Sequence, residues 1–189
     1  VDVTRARRAQ LVCDPCCGSG TLLIEAALAA RGIAPGIRRG FAAMHWDSIP
    51  DEIWLEERRR AEGFQREVTF AARGGDIDPE MLPLVAENAA KAGVGDCVTA
   101  QCADLRTFRP EGDTGVVLCN PPYGERLLDV QTAEALYRVM GKVFVPKPGW
   151  SYAIISPHEH FEELFGRPAD KRRKLYNGML KCQLYMYYK

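Results

Sequence analysis

No charge of either sign predominates in this chain: 25 Lys and Arg offset 25 Asp and Glu over 189 residues, for a net charge of zero. A uniformly basic surface, the usual footprint of a nucleic-acid binder, is therefore missing. Any grip on a polyanion has to come from local clusters or from another part of a longer protein. No apolar run approaches the roughly 18 residues of a membrane helix, and nothing at the amino end reads as a signal peptide. These absences predict a cytoplasmic protein with no membrane partner. Internal repeats and low-complexity stretches are also missing. The seven cysteines are an odd number, and no second pair complements Cys13, Cys16 and Cys17 at metal-site spacing. Neither a metal site nor a disulfide framework is expected. Cys97, Cys102, Cys119 and Cys182 fall in or beside predicted strands, where a buried thiol acts as a small hydrophobe.

What is present is the balance of one folded domain, 47% hydrophobic and 26% charged. Leu11–Cys13 is a short apolar run leading into Asp14-Pro15, a glycine-bearing turn, and an Ala/Leu-rich helix over Thr21–Arg31. Residues 32–66 read as an insertion holding Phe41, Trp46, Trp54 and a charged helix from Asp51 to about Gly63. Further strands are predicted over Val68–Ile77, Val98–Cys102, Gly115–Cys119 and Trp150–Ser156. Helices are predicted over Pro79–Ala92, with Gly93 as its stop, over Thr132–Val145, and over His158–Phe165. Arg173–Tyr176 and Met179–Tyr188 read as a hairpin turning at Asn177-Gly178, a pair suited to the positive φ angles of a type I′ turn. Strands alternating with helices imply an α/β fold, a parallel sheet covered on both faces with ligands at the carboxyl ends of its strands.

Three constellations carry chemistry. In Asp14-Pro15-Cys16-Cys17-Gly18-Ser19-Gly20-Thr21, the glycines allow close backbone approach to a ligand at a helix start. Position 23 is Leu, so the third glycine of a dinucleotide fingerprint is missing, and no P-loop lysine follows. Asp14 at the strand end suits a cationic amino-acid moiety better than a pyrophosphate. Asp76, ending the second strand, can accept both hydroxyls of a ribose, while Asp78 reads as a helix cap. Asp104 ends the third strand, where it could take an adenine amino group; on spacing alone a solvated loop carboxylate fits as well. Asn120-Pro121-Pro122-Tyr123, after the fourth strand, is the most specific. The Asn120 side-chain oxygen and the Pro121 carbonyl could both accept from an amine whose lone pair is delocalised, drawing it toward tetrahedral geometry. Tyr123 offers a face for a flipped base.

The order of these motifs resembles the amino-group methyltransferases. Asp14-Pro15-x-x-Gly18-Ser19-Gly20-Thr21 together with Asn120-Pro121-Pro122-Tyr123-Gly124-Glu125-Arg126-Leu127 is similar, more narrowly, to the bacterial large-subunit rRNA guanine-N2 methyltransferases, over nearly the whole chain. The resemblance implies a Rossmann-like class I fold with a mostly parallel seven-stranded sheet and a C-terminal antiparallel hairpin, formed by residues 1–189 as a single catalytic domain. It implies S-adenosyl-L-methionine as cofactor, bound by Asp14, Gly18, Gly20, Thr21 and Asp76, with Asp104 at its adenine. Asn120, Pro121 and Tyr123 would hold the base, Asn120 also lying beside the cofactor. Large-subunit ribosomal RNA would be the substrate, and a THUMP RNA-binding domain is expected upstream.

Adenine-N6 transfer on nucleic acid and glutamine-N5 transfer on a protein remain open, because all three amines share the delocalised lone pair. A non-catalytic RNA-binding or scaffolding module on the same fold is the remaining alternative. The basic clusters Arg5/Arg7/Arg8, Arg38/Arg39, Arg58–Arg60 and Lys171–Lys174 are each accounted for by solvated faces. His158 and His160, two residues apart, suit a surface or capping role better than a metal site. Phe41, Trp46 and Trp54 predict a satellite core under the insertion. No pattern fixes the oligomeric state.

Overall fold

The structure, a computed structural model, describes residues 1, 4, 6, 9–123 and 130–188. The cluster Arg5/Arg7/Arg8 and the motif residues Gly124, Glu125, Arg126 and Leu127 lie outside the described residues.

Seven strands form one sheet in the order β3-β2-β1-β4-β5-β7-β6. They are β1 (Leu11–Asp14), β2 (Ala71–Asp76), β3 (Val98–Cys102), β4 (Gly115–Cys119), β5 (Trp150–Ser156), β6 (Lys171–Asn177) and β7 (Leu180–Tyr187). The first five are parallel, and β7 enters antiparallel between β5 and β6. Helices α1 (Thr21–Arg31), α2 (Asp51–Glu62), α3 (Met81–Ala92), α4 (Val130–Val143) and α5 (Phe161–Phe165) connect them. The expected α/β sheet with its closing hairpin is the one observed. Among the described residues no helix is long and apolar enough to cross a membrane.

Strand alternation explains the two cores. On one face Val12, Ala72, Val98 and Leu118 pack against Leu23 and Ala27 of α1 and Val85 of α3. On the other, Cys13, Val117, Cys119 and Ile154 meet Tyr137 and Met140 of α4 and Phe161 of α5. From β1 the chain winds outward through β2 and β3, then returns to place β4 on the other side of β1. In parallel sheets a reversal of this kind, here at the carboxyl ends of β1 and β4, is where a ligand crevice forms.

Several boundaries differ from expectation. β2 begins at Ala71; the amino-terminal part of the apolar run pairs with nothing in the sheet, and Val68 stays 37% exposed. The hairpin turns one residue later than its Asn-Gly signature predicts. Asn177 pairs with Leu180 as the last position of β6, leaving Gly178-Met179 as the two-residue loop. Gly178, with φ of 61°, thus takes the first loop position, where a left-handed residue is required. The satellite core is not formed. Phe41 stacks on Trp54 with centroids 6.1 Å apart, but Trp46 is 60% exposed and α2 buries no residue at all. Cys102, expected buried, is exposed.

Helices α4 and α5 touch backbone to backbone at Gly141, where a Cβ would lie 1.8 Å from the Phe165 carbonyl oxygen. Gly141→Ala is therefore predicted to destabilise the domain by about 3 kcal/mol through forced separation of the two helices. The shift should appear in the urea midpoint at unchanged slope; an unshifted midpoint refutes the packing account.

Candidate active site

The carboxyl edge is built around the turn between β1 and α1, which hydrogen bonds strap on all sides. The Cys16 N–H donates to Asp14 Oδ1 at 3.1 Å, the Cys17 N–H to the Gly75 carbonyl at 3.0 Å, and the Gly18 N–H to Asp76 Oδ2 at 2.8 Å. Asn88 of α3 donates its side-chain amide to the Ser19 carbonyl at 3.1 Å. Asp76 Oδ1 accepts in turn from the Asp78 N–H at 3.0 Å. Asp78 does not cap α3 directly; it accepts from the Glu80 N–H at 2.9 Å and shapes the approach to the helix.

The two glycines of the turn have different tasks. Both are left-handed, Gly18 at φ 50° and Gly20 at φ 87°. A Cβ on Gly18 would meet nothing within 4 Å, so its missing side chain borders open space. A Cβ on Gly20 would lie 3.0 Å from Val85, so the absence of a side chain there lets α1 approach α3. Thr21, the first residue of α1, is exposed.

Asp14 sits beneath the turn, only 2% exposed. Burial pushes its carboxyl up to about 7, partly opposed by the Cys16 N–H and reinforced by the charge of Asp76. The Cys119 thiol, 1% exposed and free, lies within hydrogen-bonding reach of Cys16 and Asp14; Cys16 first, and burial second, hold it well above the ordinary thiol range. Burial pushes Cys13 and Cys17 up to about 12. None of these three is a thiolate at neutral pH, so none of them serves as a nucleophile. Among the described residues no group of three or more His, Cys, Asp or Glu is placed to hold a metal ion.

One strand over from β1, β4 delivers Asn120 exposed, Pro121 buried and Tyr123 half-buried. The Tyr123 hydroxyl donates to Asn120 Oδ1 and also lies within bonding reach of the Asn177 side chain. Burial pushes that phenol up to about 12, so it remains a donor. One lone pair of Asn120 Oδ1 is therefore occupied by Tyr123, an arrangement the motif alone did not disclose. The other lone pair is not used by this bond. Asp104 stands one strand beyond Asp76 and caps the 3₁₀ turn Leu105–Thr107. It accepts from the Arg106 N–H at 2.8 Å and pairs with the Arg106 guanidinium at 2.7 Å. That N–H, then the guanidinium, hold its carboxyl below the usual range.

The structure thus gathers Asp14, Gly18, Asp76 and the Asn120–Tyr123 turn at neighbouring strand ends. It sets Gly20 into packing and ties both oxygens of Asp104 to Arg106. Sequence reasoning missed Asn88, whose only signal was a lone amide inside an apolar helix, and Asn177, read as a turn former. His158 Nδ1 accepts the His160 N–H at 3.2 Å, while its Nε2 lies 3.5 Å from Glu134 of α4.

Residues 1–186 match the family described as RMKL-like, methyltransferase domain. The chain belongs to that family. YpsC of Bacillus subtilis (strain 168), named as a candidate RNA methyltransferase, is 40% identical over 178 residues, covering 93% of this chain and 46% of YpsC. The ribosomal RNA large subunit methyltransferase K/L of Legionella pneumophila (strain Philadelphia 1) is 39% identical over 176 residues, 91% of this chain and 25% of that protein. The crystal structure of SMU.472, named as a candidate methyltransferase and complexed with SAH, superposes with a TM-score of 0.88 at 40% identity, over 95% of this chain and 48% of that one. This RMKL-like domain therefore spans less than half the length of these relatives.

Asp14 ties stability to pH. Its folded pKa of about 7 lies above the ordinary 3.8, so the native state holds this proton more tightly than the unfolded chain. The stability it contributes is fully present below about pH 4 and is lost as pH rises through about 7. Relative to Asp14→Asn, the urea midpoint of the wild type should fall steadily across that window. A pH-independent difference between the two would show that Asp14 does not titrate as a buried acid.

Proposed function

We propose that this chain transfers a methyl group from S-adenosylmethionine to the exocyclic amine of a guanine in large-subunit ribosomal RNA, with residues 1–189 acting as one catalytic domain. The observation that carries the reading is the position of Asn120–Tyr123. It ends β4 directly beside the glycine turn of β1, at the point where the strand order reverses. The names of the relatives from Legionella pneumophila and Bacillus subtilis support RNA as the acceptor.

The residues present fit the cofactor. Open space over Gly18 gives a ligand access to backbone, and Asp76 keeps lone pairs beyond those used by Gly18 and Asp78. When bound, S-adenosylmethionine supplies a methyl group on a sulfonium, a leaving arrangement that calls for no strong general base. Asp76 would hold the ribose hydroxyls, and Asp104 would reach the adenine amine by sharing its oxygens with Arg106. Asp14, closed to solvent, acts through the turn it braces and favours the cationic end of the ligand by its proximity. Gly20 and Thr21 set where that turn passes into α1.

At the acceptor side, Asn120 Oδ1 and the Pro121 carbonyl accept the two amine hydrogens, so the nitrogen lone pair is concentrated away from the ring. Asn120 Oδ1 has a second lone pair for one of those hydrogens, so Tyr123 can keep its bond to Asn120 while its ring offers a face to the incoming base.

Transfer of labelled methyl to ribosomal RNA lacking the modification, followed by digestion and nucleoside analysis, tests the reading. The expected product is N2-methylguanosine; methyladenosine, or label on a protein glutamine, overturns the guanine assignment. Asn120→Ala should lower kcat by about 10²-fold with cofactor affinity near normal. Equal losses in both would contradict its place at the acceptor.

A further inference from the structure

The zero net charge conceals one strongly polar element. The hairpin from Lys171 to Tyr188 carries Lys171, Arg172, Arg173, Lys174 and Lys181 and not one acidic residue. Strand pairing places its tip. Ser156, the last residue of β5, is paired with Gln183, so positions 176–182 run on past the carboxyl edge of the parallel sheet. The tip consequently projects on the side where Asn120 lies, and Asn177 comes within bonding reach of the Tyr123 hydroxyl.

Tyr176 precedes Asn177 in β6, so its ring leaves the tip on the face opposite Asn177; it is 62% exposed and pairs across the hairpin with Lys181 on its own face. Lys174, two residues earlier on that face, holds its ammonium 5.1 Å from the Tyr176 ring centroid. Met179 at the loop is 99% exposed. Basic residues along an edge strand have an ordinary explanation, since they discourage edge-to-edge association. That explanation does not cover a tyrosine ring turned to solvent between two lysines, where it supports no core.

We propose that this tip is a platform for single-stranded RNA: Tyr176 stacks on the nucleotide next to the acceptor base, and Lys174 and Lys181 contact the flanking phosphates. An aromatic face between cations is the arrangement that binds unpaired nucleic acid without reading its sequence. The inference rests on the RNA reading given above and adds a site to it, at the hairpin tip on the face opposite the Asn177–Tyr123 contact and apart from the cofactor turn. A second surface rich in exposed apolar side chains, Trp46, Ile53, Leu55 and Phe64 of the insertion, mixes them with charges of both signs, Asp51, Glu52, Glu56 and Glu57 beside Arg58–Arg60. It also leaves α1 at its carboxyl end, where the Arg66 N–H bonds the Arg31 carbonyl, at the opposite edge of the sheet.

Fluorescence anisotropy of the chain with a short unpaired guanine-containing RNA, titrated with salt, tests the proposal. Tyr176→Ala should raise Kd about tenfold and Tyr176→Phe should bind like the wild type. The double variant Lys174→Gln/Lys181→Gln should flatten the slope of log K against log salt by about 1.4, corresponding to two phosphates of a single strand. Melting temperature and S-adenosylmethionine affinity should hold in all three variants. Wild-type affinity in Tyr176→Ala, or an unaltered salt slope in the double variant, overturns the platform while leaving the RNA reading standing. A wild-type chain that binds cofactor but no RNA at any salt defeats the RNA reading itself, and the platform with it.

Discussion

The charge-assisted hydrogen bond from the Gly18 N–H to Asp76, 2.8 Å long, ties the turn after β1 to the end of β2. Without it a glycine-bearing loop would have many conformations to choose among, because each glycine adds backbone freedom. With it, the loop becomes a fixed rim whose open side faces the crevice. The neighbouring bonds, from Cys17 to Gly75 and from Asn88 to Ser19, have the same effect from β2 and α3. An acidic strand end is thus a structural anchor in the free protein and, in the proposed reaction, the place where a ribose docks.

Beneath that rim, Asp14, Cys16 and Cys119 form a polar cluster at the crossover of β1 and β4. A buried carboxyl bonded to a thiol is an expensive feature for a sheet interior, and it lies directly under the Asn120 turn. Such sites commonly mark function because stability is given up there. The cluster couples the turn that would hold the cofactor to the strand that carries the acceptor motif.

Much of the fold was legible because its elements are punctuated. β3, β4 and β5 match expectation to the residue; β4 and β5 are largely apolar runs stopped at Asn120-Pro121 and Pro157, and β3 is a mixed strand stopped near Asp104. The hairpin slipped by one position, because Asn-Gly announces a turn while the register comes from cross-strand partners such as Leu175 and Cys182. The insertion misled for a related reason. Aromatics in sequence do not reveal whether a surface exists for them to cover, and Trp46 found none. At the crevice, motif order predicted which residues stand at neighbouring strand ends. It could not predict that Gly20 serves helix packing, that Arg106 engages Asp104, or that Tyr123 bonds Asn120, since those depend on side-chain directions set by the tertiary structure.

The central claim is that one crevice joins a cofactor rim at Gly18 and Asp76 to an amine-holding turn at Asn120. A crystal structure of the chain with S-adenosylhomocysteine tests it most directly. The account predicts ribose hydroxyls on Asp76, ligand against the Gly18 backbone, and the thioether sulfur facing the Asn120 side-chain oxygen. A ligand seated away from the Gly18 turn, or an Asn120 side chain directed away from that sulfur, would contradict it.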